Sequence, residues 1–532
     1  MKRIISLILC ALLAFSCMTL AFAKDEESTP VILVSGMGAF PLYDMDTSET
    51  AFPPSAETIV KSVLGVAPSL SASALLNKWD ILGKYGMEPI HGLFEKLKCD
   101  ENGDSVYNVS ATVFTENVGN YEVFKDDEST KSTEKGVIRA IAEKIGWDRA
   151  YFFYFDFRRS ALDIADDLKV MIDKVLEETG SEKVSLVAMS FGGTVATSYF
   201  YKYGTEKLHN VVFASTAVFG TDIVGKLFTG NIEIEIDAVL NCIEEHLIKS
   251  DFAYELFGLG KDVIKKYGKS AKKAIDAYLR AMIEKLKEPV YAKVFMDTFV
   301  RFPGIWGLMN CEYYEKAKKQ MIPYASLSDS FIAKTDEYAY NVGMKAQELI
   351  EKAESSGVNV YFTGAYGYAG IPLTESACNY TDSLIDTYLM TGYAEVADYG
   401  KTLDSSSCLR ESVCTNKSHN HISTDKVIDA SVCILPEKTW FIKNMSHVEY
   451  GREQDSGRLL VWLSTSEEPV DVRTNPLYPQ FLSLDRSSGK CTSLTEGAEI
   501  PSDAQQKSYL EKLDDWFGRM LAFIRAFFFK AV

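Results

Sequence analysis

The stretch VSLVAMSFGGTVA, residues 184–196, constrains the chain most. Six apolar-rich residues with no helical periodicity read as a buried strand. Two glycines two and three positions after Ser190 then lead into a run that reads as a helix. A strand that turns this abruptly into a helix leaves the residue at the bend, Ser190, between the two elements. The question it raises is whether Ser190 is a nucleophile or a small residue in a crowded turn.

The surrounding pattern repeats the strand–helix alternation. PVILVSGMGAF (30–40) is an apolar strand entering a glycine-bearing loop, and RAYFFYFDFRR (149–159) is extended and aromatic. An amphipathic helix follows from about 160 to 179, then the strand at 184–189, its helix, and NVVFAST (210–216). Alternation of this kind implies a parallel α/β sheet. It is interrupted from Phe219 to Gly357 by a mostly helical, Lys/Glu-rich block that reads as a cap or lid, or as a separate domain. Strand signals resume at VNVYFTGAYG (358–367) and TWFIKNMSH (439–447).

The 532 residues, 47% of them hydrophobic, suffice for at least one large core, and the net charge of −18 offers no basic face for a phosphate backbone. Nucleic acid is excluded as a partner. Residues 1–23, with Lys2 and Arg3, an apolar stretch and Ala21-Phe22-Ala23, read as a secretory signal, which predicts a secreted protein or one in the lumen of a secretory or lysosomal compartment. In such a setting the eight cysteines beyond the signal are free to pair, and the close spacing of Cys408 and Cys414 points to a stapled loop. No Cys/His group has the spacing of a zinc site, so no structural metal and no cofactor are expected. The tail from Leu510 carries apolar residues at helical spacing, fit either to lie on a membrane or to dock on protein.

The elbow supports acyl chemistry. A nucleophile at a strand-to-helix turn needs small residues two before and two after it, and Ala188 and Gly192 supply them around Ser190. The Phe191 amide, at the helix start, is one candidate oxyanion donor, and the Met37 amide in SGMGA is the other. The order Ser, acid, His then selects His447 as base, with His419 and His421 read as solvated. Asp425 in STDKVIDAS is the favoured orienting acid, and Asp429 is the alternative.

Several of these segments together resemble the lecithin:cholesterol acyltransferase and lysosomal phospholipase family. PVILVSGMGAF is similar to its oxyanion strand and loop, YFDFRRS to its Y-D-W-R-R segment, and VSLVAMSFGG to its elbow; TDKVIDAS and MSHVEYG are similar to its acid and histidine loops. The resemblance covers roughly residues 29–465. It implies an α/β-hydrolase fold with a mostly parallel central sheet. The hydrolase core would run over 29–218 and 358–465, with a small membrane-contacting subdomain inserted at about 50–110 and a helical cap or lid over 219–357. An irregular extension (466–508) and an amphipathic helix (509–532) would follow. It further implies a Ser190, Asp425 and His447 triad, Met37 at the loop oxyanion position, charge pairing by Asp156, Arg158 and Arg159, and a lipid or membrane-surface substrate. Trp306, in FPGIWGLMN, would be an acyl-pocket wall or a core residue. Met189 stands where the family has a histidine and Ser35 where it has the loop proline, which marks a distant member. An esterase or peptidase acting on soluble substrates, and a catalytically silent binding protein, are the alternatives.

Overall fold

The computed structural model describes residues 28–54, 80–127, 134–231, 298–370, 379–403, 410–451, 454–485 and 487–495, with scattered positions in 58–78 and at Tyr291 and Phe295. The signal segment, most of the Lys/Glu-rich block, Cys408 and the C-terminal tail lie outside the described residues.

Eight strands form the central sheet: β1 (Val31–Val34), β2 (Ala150–Phe153), β3 (Val184–Met189), β4 (Leu208–Ala214), β5 (Asn359–Tyr366), β6 (Thr439–Lys443), β7 (Phe481–Asp485) and β8 (Lys490–Ser493). Their spatial order is β8-β7-β6-β5-β4-β3-β1-β2. Every pairing is parallel except that of β7 with β8.

A parallel sheet must be covered on both faces, and alternate residues of each strand serve the two layers. Ile32 and Val34 of β1, Leu186 and Ala188 of β3 and Phe213 of β4 face one core, together with helices α2 (Ala161–Thr179), α3 (Phe191–Tyr203) and α4 (Ala346–Ser355). Leu33, Val187 and Val212 face the other, against α1 (Glu134–Ile145) and α5 (Asp455–Thr465). Ser160 caps α2 by accepting from the Leu162 amide, and Gly180 ends it at φ 65°, a left-handed conformation that costs glycine little.

Two expectations need revision. The stretch taken as an irregular extension contains β7, whose Leu482 and Leu484 are buried, and β8, so the central sheet runs on past residue 465. The alternation in FLSLD is a half-buried strand pattern, and β8 returns antiparallel to close that edge. The five described cysteines, Cys99, Cys311, Cys414, Cys433 and Cys491, are all free thiols rather than members of disulfides.

The insertion after β1 is tied to the sheet by Arg158. Its guanidinium pairs with Asp156 at 2.6 Å and donates to the Leu97 carbonyl, the Ser105 hydroxyl and the Val109 carbonyl at 3.2, 2.9 and 3.3 Å. A short three-stranded antiparallel sheet (Leu42–Asp44, Thr50–Phe52, Val109–Ala111) frames that insertion. The expected charge pairing of Asp156 and Arg158 is therefore a buried anchor, whereas Arg159 reaches Asp167 at 2.5 Å on the surface. No helix among the described residues is long and apolar enough to cross a membrane.

Candidate active site

Ser190 sits between β3 and α3 with φ 51° and ψ −120°, a conformation that a residue with a side chain adopts only under constraint. The constraint is visible. Its amide donates to the Ala214 carbonyl at 3.2 Å, and its own carbonyl accepts from Gly193 and Ala217 at 3.2 and 3.1 Å and from the Thr216 hydroxyl at 3.2 Å. Gly192 and Gly193 are small of necessity. A Cβ on Gly192 would fall on the Val34 carbonyl oxygen and 2.9 Å from that of Ser35, and one on Gly193 would overlap the Thr216 hydroxyl.

His447 lies in the loop after β6, four residues beyond its end, and meets Ser190 from the far side. Its Nε2 is 2.9 Å from Ser190 Oγ. Its Nδ1 is 2.7 Å from Asp382 Oδ2, and its backbone amide donates to the Asp382 carbonyl at 2.8 Å. Asp382 is fully buried, and its Oδ1 accepts from the Leu384 and Ile385 amides at 3.0 and 2.8 Å, which fixes the carboxylate in a tight side-chain-capped turn. That turn is in turn held by Asp386, which accepts from Asn379 at 2.8 Å and from the Asp222 amide at 3.1 Å. Burial, and then the neighbouring Asp222, raise the Asp386 carboxyl to about 6.

The expected acid was Asp425, and the structure places Asp382 there instead. Asp425 is engaged elsewhere: Lys443 lies 2.9 Å from its Oδ2, the Tyr366 hydroxyl donates to the same oxygen at 3.0 Å, and Ser423 donates to Oδ1 at 2.6 Å. It braces β5 and β6 behind the site. Asp429, the alternative, accepts from the Ser431 amide at 2.8 Å and caps its own turn. Chain order alone admits any carboxylate between Ser190 and His447; a signal for Asp382 lay in its position shortly after β5, in a T-D-S-L turn. His421, read as solvated, is buried.

A second carboxyl reaches the site unannounced by any motif. Glu134, the first residue of α1, accepts from the Gly36 amide at 3.0 Å through Oε1, while its Oε2 is buried without a hydrogen-bond partner. Burial pushes the carboxyl up to about 7, against the opposing pull of the Gly36 amide and of His447. A Cβ on Gly36 would lie 2.9 Å from both Glu134 Oε1 and Ser190 Cβ, so the SGMGA loop, Glu134 and Ser190 are packed against one another. For His447, burial lowers the affinity for a proton, but Asp382 and Glu134 outweigh it and the net shift is upward.

Of the candidate oxyanion donors, Phe191 is the first residue of α3, where the amide has no acceptor within the helix, and Met37 follows Gly36 in the loop that abuts Ser190. Trp306 is a core residue: it is 3% exposed, packs edge-on against Phe228, Tyr314 and Phe331, and donates its indole N–H to the Val300 carbonyl at 2.8 Å.

A family model described as alpha/beta hydrolase fold matches residues 128–230, which hold β2, β3, β4 and the elbow. The chain has the α/β-hydrolase fold. Among solved structures it is similar to a thermophilic esterase from Thermogutta terrifontis, at 13% identity and a TM-score of 0.15 over 42% of this chain and 86% of that one. It is also similar to a chain of the Tle4–Tli4 complex, at 13% identity and a TM-score of 0.23 over 93% of this chain and 98% of that one. No curated protein matches it.

Proposed function

We propose that the protein is a serine hydrolase that cleaves acyl esters of lipids, with Ser190, His447 and Asp382 as its triad. The observation that carries the reading is the unbroken chain of contacts from Ser190 Oγ through both ring nitrogens of His447 to a buried, amide-braced carboxylate. His447 Nε2 takes the Ser190 proton as Oγ attacks the carbonyl carbon, forming a tetrahedral intermediate. Asp382 holds the ring so that Nδ1 carries its proton and Nε2 remains basic, and it stabilises the imidazolium. The Phe191 and Met37 amides receive the developing oxyanion, the first aided by the N-terminal dipole of α3. His447 then returns the proton to the leaving alcohol, and the acyl-serine passes to water or to a second alcohol.

Lipid esters are favoured by the resemblance of the oxyanion loop, elbow and histidine loop to lecithin:cholesterol acyltransferase and lysosomal phospholipases, and export by the signal-like first 23 residues. The test is to incubate the purified protein and a Ser190→Ala variant with a fluorophosphonate probe and with phospholipid vesicles. Labelling and fatty-acid release by the wild type alone is the expected result. Labelling without release would retain the serine hydrolase and refute the lipid substrate; no labelling would refute both.

A further inference from the structure

Far along the chain from the elbow, the loop after residue 410 returns to the start of β6 and brings together four side chains that the catalytic reading does not use. Cys414, His419, His421 and Glu437 each offer a ligand atom, and all four atoms lie within 4.8 Å of one another. Cys414 Sγ is 3.6 Å from His419 Nδ1 and 3.7 Å from Glu437 Oε1. A tetrahedral zinc ion with bonds of about 2.0–2.3 Å holds its ligand atoms roughly 3.3–3.8 Å apart. The 2.6 Å contact between His419 Nδ1 and Glu437 Oε1 is then the hydrogen bond that an ion between them replaces.

The decisive group is His421. Gln480 commits its amide nitrogen to the Pro436 and Thr439 carbonyls, at 2.6 and 3.1 Å, so its oxygen is what meets His421 Nδ1 at 2.7 Å. Nδ1 must therefore carry the proton, which leaves a bare lone pair on Nε2. That Nε2 is buried and has no hydrogen-bond partner, in a side chain that is 3% exposed. A buried acceptor left unmet is costly, and a ring nitrogen oriented through its opposite N–H by an outer partner is the usual arrangement of a metal-bound histidine. Glu437 is prepared in the same manner: Arg473 holds Oε2 at 2.9 Å and leaves Oε1 for the cluster.

We infer that Cys414, His419, His421 and Glu437 form a structural zinc site. One thiolate, two imidazoles and one carboxylate make a closed four-ligand set whose two negative charges neutralise the ion, and the sulfur and nitrogen donors select zinc over calcium or magnesium. Binding releases the Cys414 thiol proton to solvent as the sulfur–zinc bond forms, and the His419 Nδ1 proton leaves while Nε2 takes one from solvent, which requires the Asn416 amide, 2.8 Å from Nε2, to turn its oxygen from Ser418 to the ring. The site staples the 410–421 loop to the entry of β6, the strand whose far end carries His447. Sequence spacing concealed it, because the ligands run C-x4-H-x-H and the fourth comes from a separate turn.

The experiment is elemental analysis of the purified full chain, with Cys414→Ser and His421→Ala beside it, before and after chelation and reloading with zinc under reducing conditions. About one zinc per wild-type chain, a loss of at least tenfold in occupancy in either variant, and a melting temperature that falls on chelation only in the wild type are expected. Cobalt loading of the wild type should give a thiolate-to-metal charge-transfer band that is missing in Cys414→Ser. Should either variant fail to fold, Glu437→Gln takes its place. Failure of the wild type to take up zinc, equal zinc in the variants, or Cys414 found in a disulfide with Cys408 would overturn the site. Ser190→Ala should bind zinc as the wild type does, which separates this result from that of the acyl chemistry.

Discussion

Asp382 and Asp425 are both buried carboxylates that lie between Ser190 and His447 in the chain, and what separates them is the partner each meets. Asp382 faces an imidazole and two backbone amides; Asp425 faces the ammonium of Lys443. Their conversion to asparagine should therefore fail in opposite ways. Asp382→Asn should leave the melting curve near that of the wild type and lower kcat by about 10⁴, because an amide no longer selects the productive tautomer of His447. Asp425→Asn should keep kcat within a few-fold and cost about 3–5 kcal/mol in urea unfolding, because it removes the carboxylate that pairs with the buried Lys443 ammonium at 2.9 Å. Glu134 adds a pH dependence of definite sign. Its folded carboxyl, near 7, binds a proton more tightly than the unfolded one near 4.5, so its contribution to stability is complete below about pH 4.5 and fades as pH rises through 7. Glu134→Gln, which keeps an acceptor for the Gly36 amide, should match the wild type at pH 4.5 and exceed it at pH 8 by on the order of 3 kcal/mol in denaturant titrations. A wild-type advantage at pH 8 would refute this assignment of the buried charge.

The elbow works because three elements approach one another more closely than side chains allow. The first turn of α3 rests on the last carbonyls of β1, and the loop that leaves β1 presses on Ser190 through Gly36. Gly192→Ala would drive a methyl group into the Val34 carbonyl, and relief requires α3 to move away from β1. Overpacking of this kind typically costs about 1–3 kcal/mol. Activity should fall further than that loss of stability implies, since the same shift separates the Phe191 amide from the SGMGA loop. The comparison to make is the rate of fluorophosphonate labelling against the melting temperature of the same sample. Labelling at the wild-type rate would show that the two candidate oxyanion donors, the Phe191 and Met37 amides, do not depend on that contact.

For the molecule as a whole, the sequence was legible where local pattern and global fold agree. The strands around Val34, Ala188 and Phe213 are short apolar runs, α1 and α2 have one apolar stripe and α3 is buried all round from Phe191 to Phe200, so their alternation identifies the sheet without long-range information. His447 was legible for a similar reason, being the histidine that closely follows a late strand. Asp382 was hidden because its role depends on a fold-back of the 379–386 turn onto a loop more than sixty residues later, and Asp425 offered the same chemistry at a position equally permitted by chain order. Glu134 and the Cys414 cluster were hidden by the same cause, since each is assembled from elements that only the tertiary structure makes neighbours. The strand order carries one further consequence. β6, which leads to the His447 loop, becomes an interior strand only when β7 pairs with it, and β7 lies more than thirty residues after His447 in the chain. A chain cut short before Phe481 would hold both Ser190 and His447 yet leave β6 as a bare sheet edge, so a truncation far from either residue should loosen the histidine's seat.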